Sequence, residues 1–404
     1  MTTSSHTKTT LRSASRSKPF KWIEYPGLSS ADYDAFRDRV QQFIDREIQP
    51  HVETWENQGR FPRELLRRFG NEGLIGLSLS RDIGGQGRSF WYEVLLTEEL
   101  TAALLTGWSL SFLAHSNMAT VLLGELSDPD VQQRVLRPAL AGELYLCLAA
   151  TEPNSGSDLL SAETAVLRRG SRRVISGEKR YITNGSVARY AVVFVRDEAS
   201  HQSPAWSHSL YLLDLTHPSV HATPIALSGL GTGDTAALTI ADYPLDRAVR
   251  VGAMGRGAYA LIRTLERERL LGAVAMNQLA QLVLERTVVE LQSRHRFGQP
   301  LTAQQTVRHR LVDLIARVEA SRQFTYRVCH AYTVEPVSKE IAMLKVFAYE
   351  TCQAVIRDCS SLHGAVAFEQ THWLNRLLRD SQAFTLAAGT SNIMRNLAAG
   401  LLQL

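Results

Sequence analysis

The chain has 404 residues, of which 45% are hydrophobic and 21% charged, and its formal net charge is +4. This length allows a sizeable core and predicts roughly two to four domains or lobes. Because no apolar run reaches the ~18 residues of a membrane-spanning helix, we expect no membrane insertion. The cysteines are scattered without a CxxC pair (Cys147, Cys329, Cys352 and Cys359). That pattern favours reduced thiols in a cytoplasmic protein and predicts neither a disulfide framework nor a metal site.

The basic charge is concentrated at the N-terminus. Residues 1–21 hold five lysine or arginine side chains and no acidic one, so the remainder sums to 4 − 5 = −1. The body of the chain therefore has no electrostatic footprint for nucleic acid. We predict a flexible basic tail at residues 1–27. Its serine- and arginine-rich composition also fits a transit peptide, which makes the mitochondrial matrix the alternative compartment.

Hydrophobic periodicity divides the remaining chain into three regions. Residues 28–146 are helical in pattern, beginning with N-cap chemistry at Ser29–Asp32. Residues 147–254 contain short β-type runs at 174–177, 191–195, 209–213 and 237–240, separated by turn residues. Helical periodicity returns in residues 255–404. We therefore predict a mainly α protein with a small antiparallel β domain between two helical domains. No strand–helix alternation or phosphate-binding glycine motif supports a doubly wound fold.

A single carboxylate interrupts the apolar stripe of the first long C-terminal helix. Glu268 has only uncharged neighbours at helical spacing, namely Leu261, Thr264, Leu265, Leu271, Gly272 and Ala275. A carboxylate on an apolar stripe should have a raised pKa, which suits a general base. The alternative from this pattern alone is a solvated helix end. Glu266 has Arg263 and Arg269 three residues to either side, which predicts an ordinary surface ion pair.

Three other stretches carry polar groups on tight turns. They are 150–158 (ATEPNSGSD), 181–185 (YITNG) and 294–300 (RHRFGQP), the last followed by Gln305. Hydroxyls and backbone N–H groups of this kind suit a polar ring and a phosphate. In this order they resemble the TEPxxGSD, WITNG and RxxFGxxxxxxQ motifs of the acyl-CoA dehydrogenase flavoprotein family. The resemblance runs from about residue 29 onward and implies a helical domain, a β domain and a C-terminal four-helix-bundle domain.

The resemblance implies that the cofactor is FAD. Tyr181 takes the place of the family's tryptophan beside the flavin ring, and Thr183 matches the hydroxyl near the reactive flavin nitrogen. The loop along the flavin corresponds to Leu148, Ala150, Thr151, Gly156 and Ser157. The final helix and the preceding bundle supply further implied contacts at Ser361, Gly364, Thr390 and Asn392. Ser361 stands where many members have glutamine.

Part of the implied FAD site comes from a second subunit. Arg294, Phe297 and Gln305 match family residues that reach the FAD of a neighbouring subunit. The resemblance therefore implies an obligate homo-oligomer, either a homodimer or a homotetramer.

This chain differs from many family members near its C-terminus, and that difference decides which residue the resemblance implies as the catalytic base. Many members place their glutamate just before Gly-Thr, where this chain has Ala388, whose backbone N–H can still act as an oxyanion donor. Isovaleryl- and long-chain-type enzymes and some prolyl-carrier-protein dehydrogenases instead place the base before an arginine on the first long C-terminal helix. The family spacing of 28 residues before Phe297 leads to Arg269, so the base is Glu268. Leu265, Arg269 and Ser157 are the implied substrate contacts.

The implied activity is α,β-dehydrogenation of an acyl thioester carried on coenzyme A or on a carrier protein. The electron acceptor would be an electron-transferring flavoprotein or dioxygen. Two alternatives remain: a flavin-dependent oxidase or monooxygenase on the same scaffold, and a cofactor-less binding or structural protein. The retained Glu268 argues against the oxidase. The changes at Ser361 and at Ala365, which stands where many members have the second glycine of a Gly-Gly pair, leave room for the cofactor-less protein. The sequence does not identify the acyl group.

Overall fold

The computed structural model describes residues 19–25, 30–197 and 206–404. The first helix begins at Ala31 because the Ser30 side chain accepts a hydrogen bond from the Tyr33 N–H at 3.3 Å, as the predicted cap requires. Two π-helical turns, at Ala114–Ala119 and Gln132–Leu136, interrupt the later helices. The α-helices of this region are α1 (Ala31–Glu47), α2 (Val52–Gln58), α3 (Glu64–Asn71), α4 (Phe90–Ala102), α5 (Thr106–Leu113), α6 (Thr120–Leu126), α7 (Pro129–Val131) and α8 (Arg137–Leu140).

The middle of the chain forms one eight-stranded sheet, and each β-type run predicted from the sequence lies within a strand. The strands are β1 (Tyr145–Ala149), β2 (Ala165–Arg169), β3 (Arg172–Thr183), β4 (Ala188–Arg196), β5 (His208–Asp214), β6 (Val220–Pro224), β7 (Thr235–Pro244) and β8 (Val249–Val251). They follow the order β6-β7-β3-β2-β4-β5-β8, with β1 paired to β4 off this path.

The sheet is not purely antiparallel, in contrast to the sequence-based expectation. Strand β1 pairs with β4 in parallel, and β2 meets β4 in parallel at Ala165 and Arg196. Parallel neighbours need a long crossover connection, so their pairing is not visible in the local alternation of residues.

Helices fill the rest of the chain and pack around α9, a 37-residue helix buried along most of its length. The C-terminal α-helices all lie within residues 255–404, where helical periodicity is predicted. They are α9 (Gly257–Ser293), α10 (Gln305–Tyr332), α11 (Ser338–His363), α12 (Trp373–Phe384) and α13 (Ser391–Leu402). A two-stranded hairpin, β9 (His295–Arg296) and β10 (Gln299–Pro300), connects α9 to α10. The fold is therefore a helical domain, a β domain and a C-terminal helical bundle.

The described part of the predicted basic tail is packed against the bundle. Trp22 is 9% exposed, and its indole N–H donates to Glu285 of α9 at 2.8 Å. The N–H of Ile23 donates to Glu319 of α10. Residues 19–25 thus pack against two helices of the bundle, and aromatic burial and hydrogen bonds offset the entropy of ordering them. The remainder of the predicted tail lies outside the described residues.

None of the helices in ranges 19–25, 30–197 and 206–404 combines the length and the apolar character that crossing a membrane requires.

One buried ion pair joins the first helical region to the bundle. The Arg267 guanidinium of α9 bonds to the carboxylate of Glu93 on α4, and both side chains are buried. Glu93 also accepts a hydrogen bond from Asn117 at 2.8 Å, and Arg267 donates to the Ser78 hydroxyl at 2.6 Å. Because removal of one partner leaves an uncompensated buried charge, this pair constrains how α9 sits against α4.

We predict that Arg267→Met destabilises the protein by about 3–5 kcal/mol, because the Glu93 carboxylate loses its counter-charge in a buried site. The measurement is the urea midpoint followed by circular dichroism. The matched control is Arg134→Met, which breaks an exposed pair with Asp130 and should leave the midpoint unchanged. An Arg267→Met midpoint equal to that of the control would contradict the assignment.

Candidate active site

A cavity of about 750 Å³ opens where the three domains meet. Helices α4 and α5 form one wall, the sheet a second, and α9 a third. The turn between α12 and α13, residues 386–390, closes the remaining side. The size and the mostly apolar lining with a few polar groups are typical of a small-molecule site.

Most of the site residues proposed from the sequence line this one cavity. They come from all three domains although they are spread over 243 positions of the chain, from 148 to 390. The lining includes Leu148, Ala150, Thr151, Gly156, Ser157, Tyr181, Thr183, Leu265, Glu268, Arg269, Ala388 and Thr390.

The other proposed cofactor contacts lie away from the cavity. Arg294 donates to the carbonyl of His363, next to Gly364, at the far end of α9. Phe297 is 94% exposed with φ +54° at the hairpin tip. Gln305, Ser361 and Asn392 are also exposed. None of these residues lines the cavity within one chain. The role of Arg294, Phe297 and Gln305 in a neighbouring subunit's site stays a prediction, as do the cofactor contacts at Ser361, Gly364 and Asn392.

A β-bulge positions Tyr181 at the cavity. The β3–β7 register shifts between Lys179 and Ile182, and Tyr181 lies in the shifted stretch with φ +58°. A bulge leaves its extra residue outside the ladder and redirects its side chain. The Tyr181 ring is consequently 56% exposed, with the Arg180 guanidinium 5.4 Å from its centroid. A flat ligand ring could stack on this face.

A buried ion pair anchors the loop that precedes the sheet. Lys179 of β3 bonds to Glu152 at 2.7 Å and donates to the Ala150 carbonyl at 3.1 Å. Glu152 also accepts hydrogen bonds from the N–H groups of Glu163 and Thr164. These contacts hold Ala150, Thr151 and Ser157 against the cavity. Neither Lys179 nor Glu152 was proposed as a site residue, because Lys179 stands between Glu178 and Arg180 and its sequence neighbours give no sign of burial.

Glu268 is buried at the cavity wall with a free acceptor. It is 5% exposed, and its Oε2 atom has no hydrogen-bond partner among the described residues. Burial raises the pKa of Glu268, and the charges of Lys345 and Arg269 oppose that rise. A carboxylate of this kind can accept a proton from a bound molecule, as a general base must.

Glu266 does not form the predicted surface pair with Arg269. The Arg269 side chain turns inward, and its Nε donates to the Ala388 carbonyl at 2.8 Å. Burial lowers the pKa of Arg269, and the negative charges of Glu268 and Glu266 oppose that decrease. Residues three apart lie only about 60° from each other on a helix, so the pair was geometrically possible, but the Arg269 side chain is directed to the turn carbonyl instead.

The turn opposite Glu268 is held in an uncommon backbone conformation. Ala388 has φ +53° and Gly389 φ +98°, and only glycine adopts such values without strain. Lys345 of α11 donates to the carbonyls of Ala387, at 2.7 Å, and of Gly389. Among the described residues the Ala388 N–H donates to no backbone carbonyl. That N–H is therefore available to a ligand oxygen.

Sequence reasoning missed Lys345, which is 1% exposed. The signal was present, because the residues around it in α11 (AMLKVFA) place one cation on an apolar stretch. This is the pattern that singled out Glu268.

A β domain between two helical domains, with a cavity where all three meet, defines the structural class of this protein. Three domain comparisons place the chain within that class. It matches the acyl-CoA dehydrogenase N-terminal domain over residues 30–143, the middle domain over 147–243 and the C-terminal domain over 255–402. The chain belongs to the acyl-CoA dehydrogenase family, whose members are FAD-dependent oxidoreductases.

Individual members of the family are similar to this chain over most of its length. The mitochondrial long-chain specific acyl-CoA dehydrogenase of Sus scrofa is 28% identical over 374 residues, covering 92% of this chain and 86% of the relative. The mitochondrial isovaleryl-CoA dehydrogenase of Oryza sativa subsp. japonica is 28% identical, with 92% of both chains covered. The crystal structure of an acyl-CoA dehydrogenase from Geobacillus kaustophilus superposes with a TM-score of 0.87 at 27% identity, covering 93% of this chain and 99% of that one.

We predict that Gly272→Ala destabilises the protein by about 1–3 kcal/mol through overpacking. A Cβ atom at Gly272 would lie 1.8 Å from the Tyr349 hydroxyl, so Tyr349 would have to move. The measurement is the thermal unfolding midpoint. The matched control is Gly400→Ala in α13, where a Cβ meets nothing within 4 Å, and the better helix propensity of alanine should raise the midpoint. A stabilised Gly272→Ala variant would contradict the packing described.

Proposed function

We propose that the protein catalyses FAD-dependent α,β-dehydrogenation of an acyl-CoA thioester, with Glu268 as the base. The observation that carries this proposal is the unpartnered Oε2 atom of Glu268, buried at the wall of a cavity shared by the three domains. Membership of the acyl-CoA dehydrogenase family supports the reaction type. The base assignment depends on this chain's own geometry, since Ala388 has no carboxylate.

The residues on the β-domain wall fit the flavin part of FAD. Tyr181 offers an exposed ring face, while Thr151 and Thr183 offer hydroxyls at the same cavity. Thr390 caps the N-terminus of α13 by accepting from the Ile393 N–H, and a helix N-terminus favours phosphate. When bound, FAD supplies the acceptor for the hydrogen that leaves the β-carbon as hydride.

The protein's own groups handle the α-proton. The α-C–H bond is only weakly acidic, so the thioester oxygen must be stabilised as it gains negative charge. The Ala388 N–H is available for this, and such an oxyanion donor contributes about 3–4 kcal/mol to lowering the barrier. Glu268 takes the proton on its free carboxylate oxygen. Arg269 holds the Ala388 carbonyl, so it positions the oxyanion donor and does not itself react.

The cavity favours an extended acyl chain. Beyond Glu268, Gly272, Ala275, Met276 and Leu279 of α9 all line it. With a helical rise of 1.5 Å per residue, the stripe from Glu268 to Leu279 is about 16 Å long. Because a C–C bond of about 1.5 Å advances an extended chain by only about 1.25 Å, a chain of about twelve to fourteen carbons spans most or all of that length. We therefore propose a medium- to long-chain acyl substrate.

The remaining partners follow from the same proposal. We propose that a second subunit supplies the exposed Phe297 and its neighbours Arg294 and Gln305 to the FAD site of the first, in a homodimer or homotetramer. An electron-transferring flavoprotein or dioxygen would reoxidise the enzyme. A carrier-protein thioester is the alternative to coenzyme A and belongs in the substrate tests.

We predict that Glu268→Gln yields a yellow, folded protein whose flavin no longer bleaches anaerobically with acyl-CoA, because the amide cannot accept the α-proton. Stopped-flow absorbance of the flavin measures this. Glu266→Gln is the control and should bleach at the wild-type rate, since Glu266 is not among the residues lining the cavity.

Three outcomes would contradict the proposal. Full bleaching of Glu268→Gln would remove the base assignment. A colourless wild-type protein would indicate a cofactor-less homologue, and rapid reoxidation by air with a hydroxylated product would indicate a monooxygenase.

We predict that kcat/KM rises from butanoyl- to dodecanoyl-CoA, because longer chains bury more apolar surface along α9. Isovaleryl-CoA and acyl-carrier-protein thioesters complete the panel. Met276→Trp should abolish the preference for the longer chain by shortening the cavity, whereas Met276→Leu, which nearly conserves volume, should retain it. Equal efficiency for all chain lengths in the wild type would contradict the proposed substrate class.

A further inference from the structure

Lys345 is a buried cation for which the proposed reaction has no step. It projects from α11, is 1% exposed, and lies 4.8 Å from the centroid of the Tyr349 ring. It is not among the residues that line the cavity. Its ammonium group instead lies behind the turn of residues 386–390, where it donates to the carbonyls of Ala387 and Gly389. A buried ammonium is costly unless it is paired or hydrogen-bonded, and here two turn carbonyls, not a direct ion pair, compensate its burial.

Two cations hold three successive carbonyls of the turn. Lys345 holds those of Ala387 and Gly389, and Arg269 holds that of Ala388 at 2.8 Å. Charge-assisted hydrogen bonds of this type are the stronger ones in proteins. These bonds stabilise the positive φ of Ala388. A non-glycine residue keeps a positive φ only when the surrounding structure holds it there. The direction of the Ala388 N–H is thereby set.

The same two cations act on Glu268 through space. Neither forms an ion pair with Glu268 within 4.0 Å, because their N–H groups are directed at the turn carbonyls. Their charges still favour the ionised carboxylate, while its Oε2 atom keeps no partner. A direct salt bridge would instead have occupied the oxygen that must receive the proton.

We propose that Lys345 is a positioning residue that keeps Glu268 ionised and fixes the Ala388 N–H, without itself touching the substrate or the cofactor. This inference rests on the proposed function of Glu268. Beyond that function, it assigns to one buried cation, Lys345, the coupling of the base Glu268 to the oxyanion donor at Ala388.

The surroundings of Lys345 support this assignment. The ionisable groups facing it are Glu268 and Arg269 from α9 and Tyr349 from its own helix, and the turn itself has no titratable side chain. Charged groups on the other packed helices are engaged elsewhere: Arg317 with Thr351, Asp380 with Leu230, and Arg395 with Glu350. Burial lowers the pKa of Lys345 to about 8, with Arg269 adding to this and Glu268 opposing it. Lys345 is therefore protonated at neutral pH and loses its charge as the pH rises through about 8.

The test compares the pH dependence of kcat/KM for wild type, Lys345→Met and Lys345→Gln, with dodecanoyl-CoA as the probe. Removing the charge raises the pKa of Glu268, so the acidic limb should move to higher pH by about one unit in both variants. Gln can still donate to a turn carbonyl, so its KM should change less than that of Lys345→Met. Lys339→Met removes an exposed lysine of the same helix, paired with Glu340, and should leave the profile unchanged.

A second readout does not depend on turnover. The carboxylic-acid infrared band of Glu268, assigned by its loss in Glu268→Gln, should titrate at higher pH in Lys345→Gln than in wild type. The inference would be overturned if the Lys345 variants showed only a lower unfolding midpoint, with no shift in the acidic limb of the kcat/KM profile or in the titration of the Glu268 infrared band. Lys345 would then be a structural residue. Should Lys345→Met not fold, Lys345→Gln carries the comparison. Should no thioester bleach the wild-type flavin, the proposed function fails while the infrared titration still decides the role of Lys345.

Discussion

Three consecutive charged side chains, Arg267, Glu268 and Arg269, are buried in the middle of α9, and much of the surrounding structure compensates them. Successive helical residues point about 100° apart, so each of the three meets a different wall. Arg267 pairs with Glu93 of the first domain, and Arg269 holds the Ala388 carbonyl. Because a buried charge without compensation is strongly destabilising, these contacts bind α9 to its neighbours.

Glu268 differs from its two neighbours because its carboxylate oxygen lacks a direct partner. The cations nearest to it, Lys345 and Arg269, bond to turn carbonyls, so they supply charge without occupying the acceptor. The same bonds retain the positive φ of Ala388. In the proposed mechanism, the base Glu268 and the oxyanion donor at Ala388 thus depend on one set of charge-assisted hydrogen bonds, and no carboxylate is needed at position 388.

Much of the fold could be predicted because its signals are local. The cap at Ser30, the helical periodicity after residue 255 and the β-type runs of the middle domain all involve neighbouring residues. The family resemblance then implied FAD and a set of site residues, most of which line the cavity. Two kinds of feature escaped: the parallel pairing of β1 with β4, and the packing of residues 19–25 against the bundle. Both join segments far apart in the chain, and composition alone made the latter look like a flexible tail.

By itself the sequence determined the order of the domains, the family and the single carboxylate on the apolar stripe of α9. It did so because periodicity and motif spacing are properties of short stretches. Only the tertiary structure decided which charges meet: Lys345 lies 77 residues after Glu268, and the turn at Ala388 lies 43 residues after Lys345. Whether a buried charge is paired, hydrogen-bonded or left free depends on distances between elements, and folding alone sets those distances.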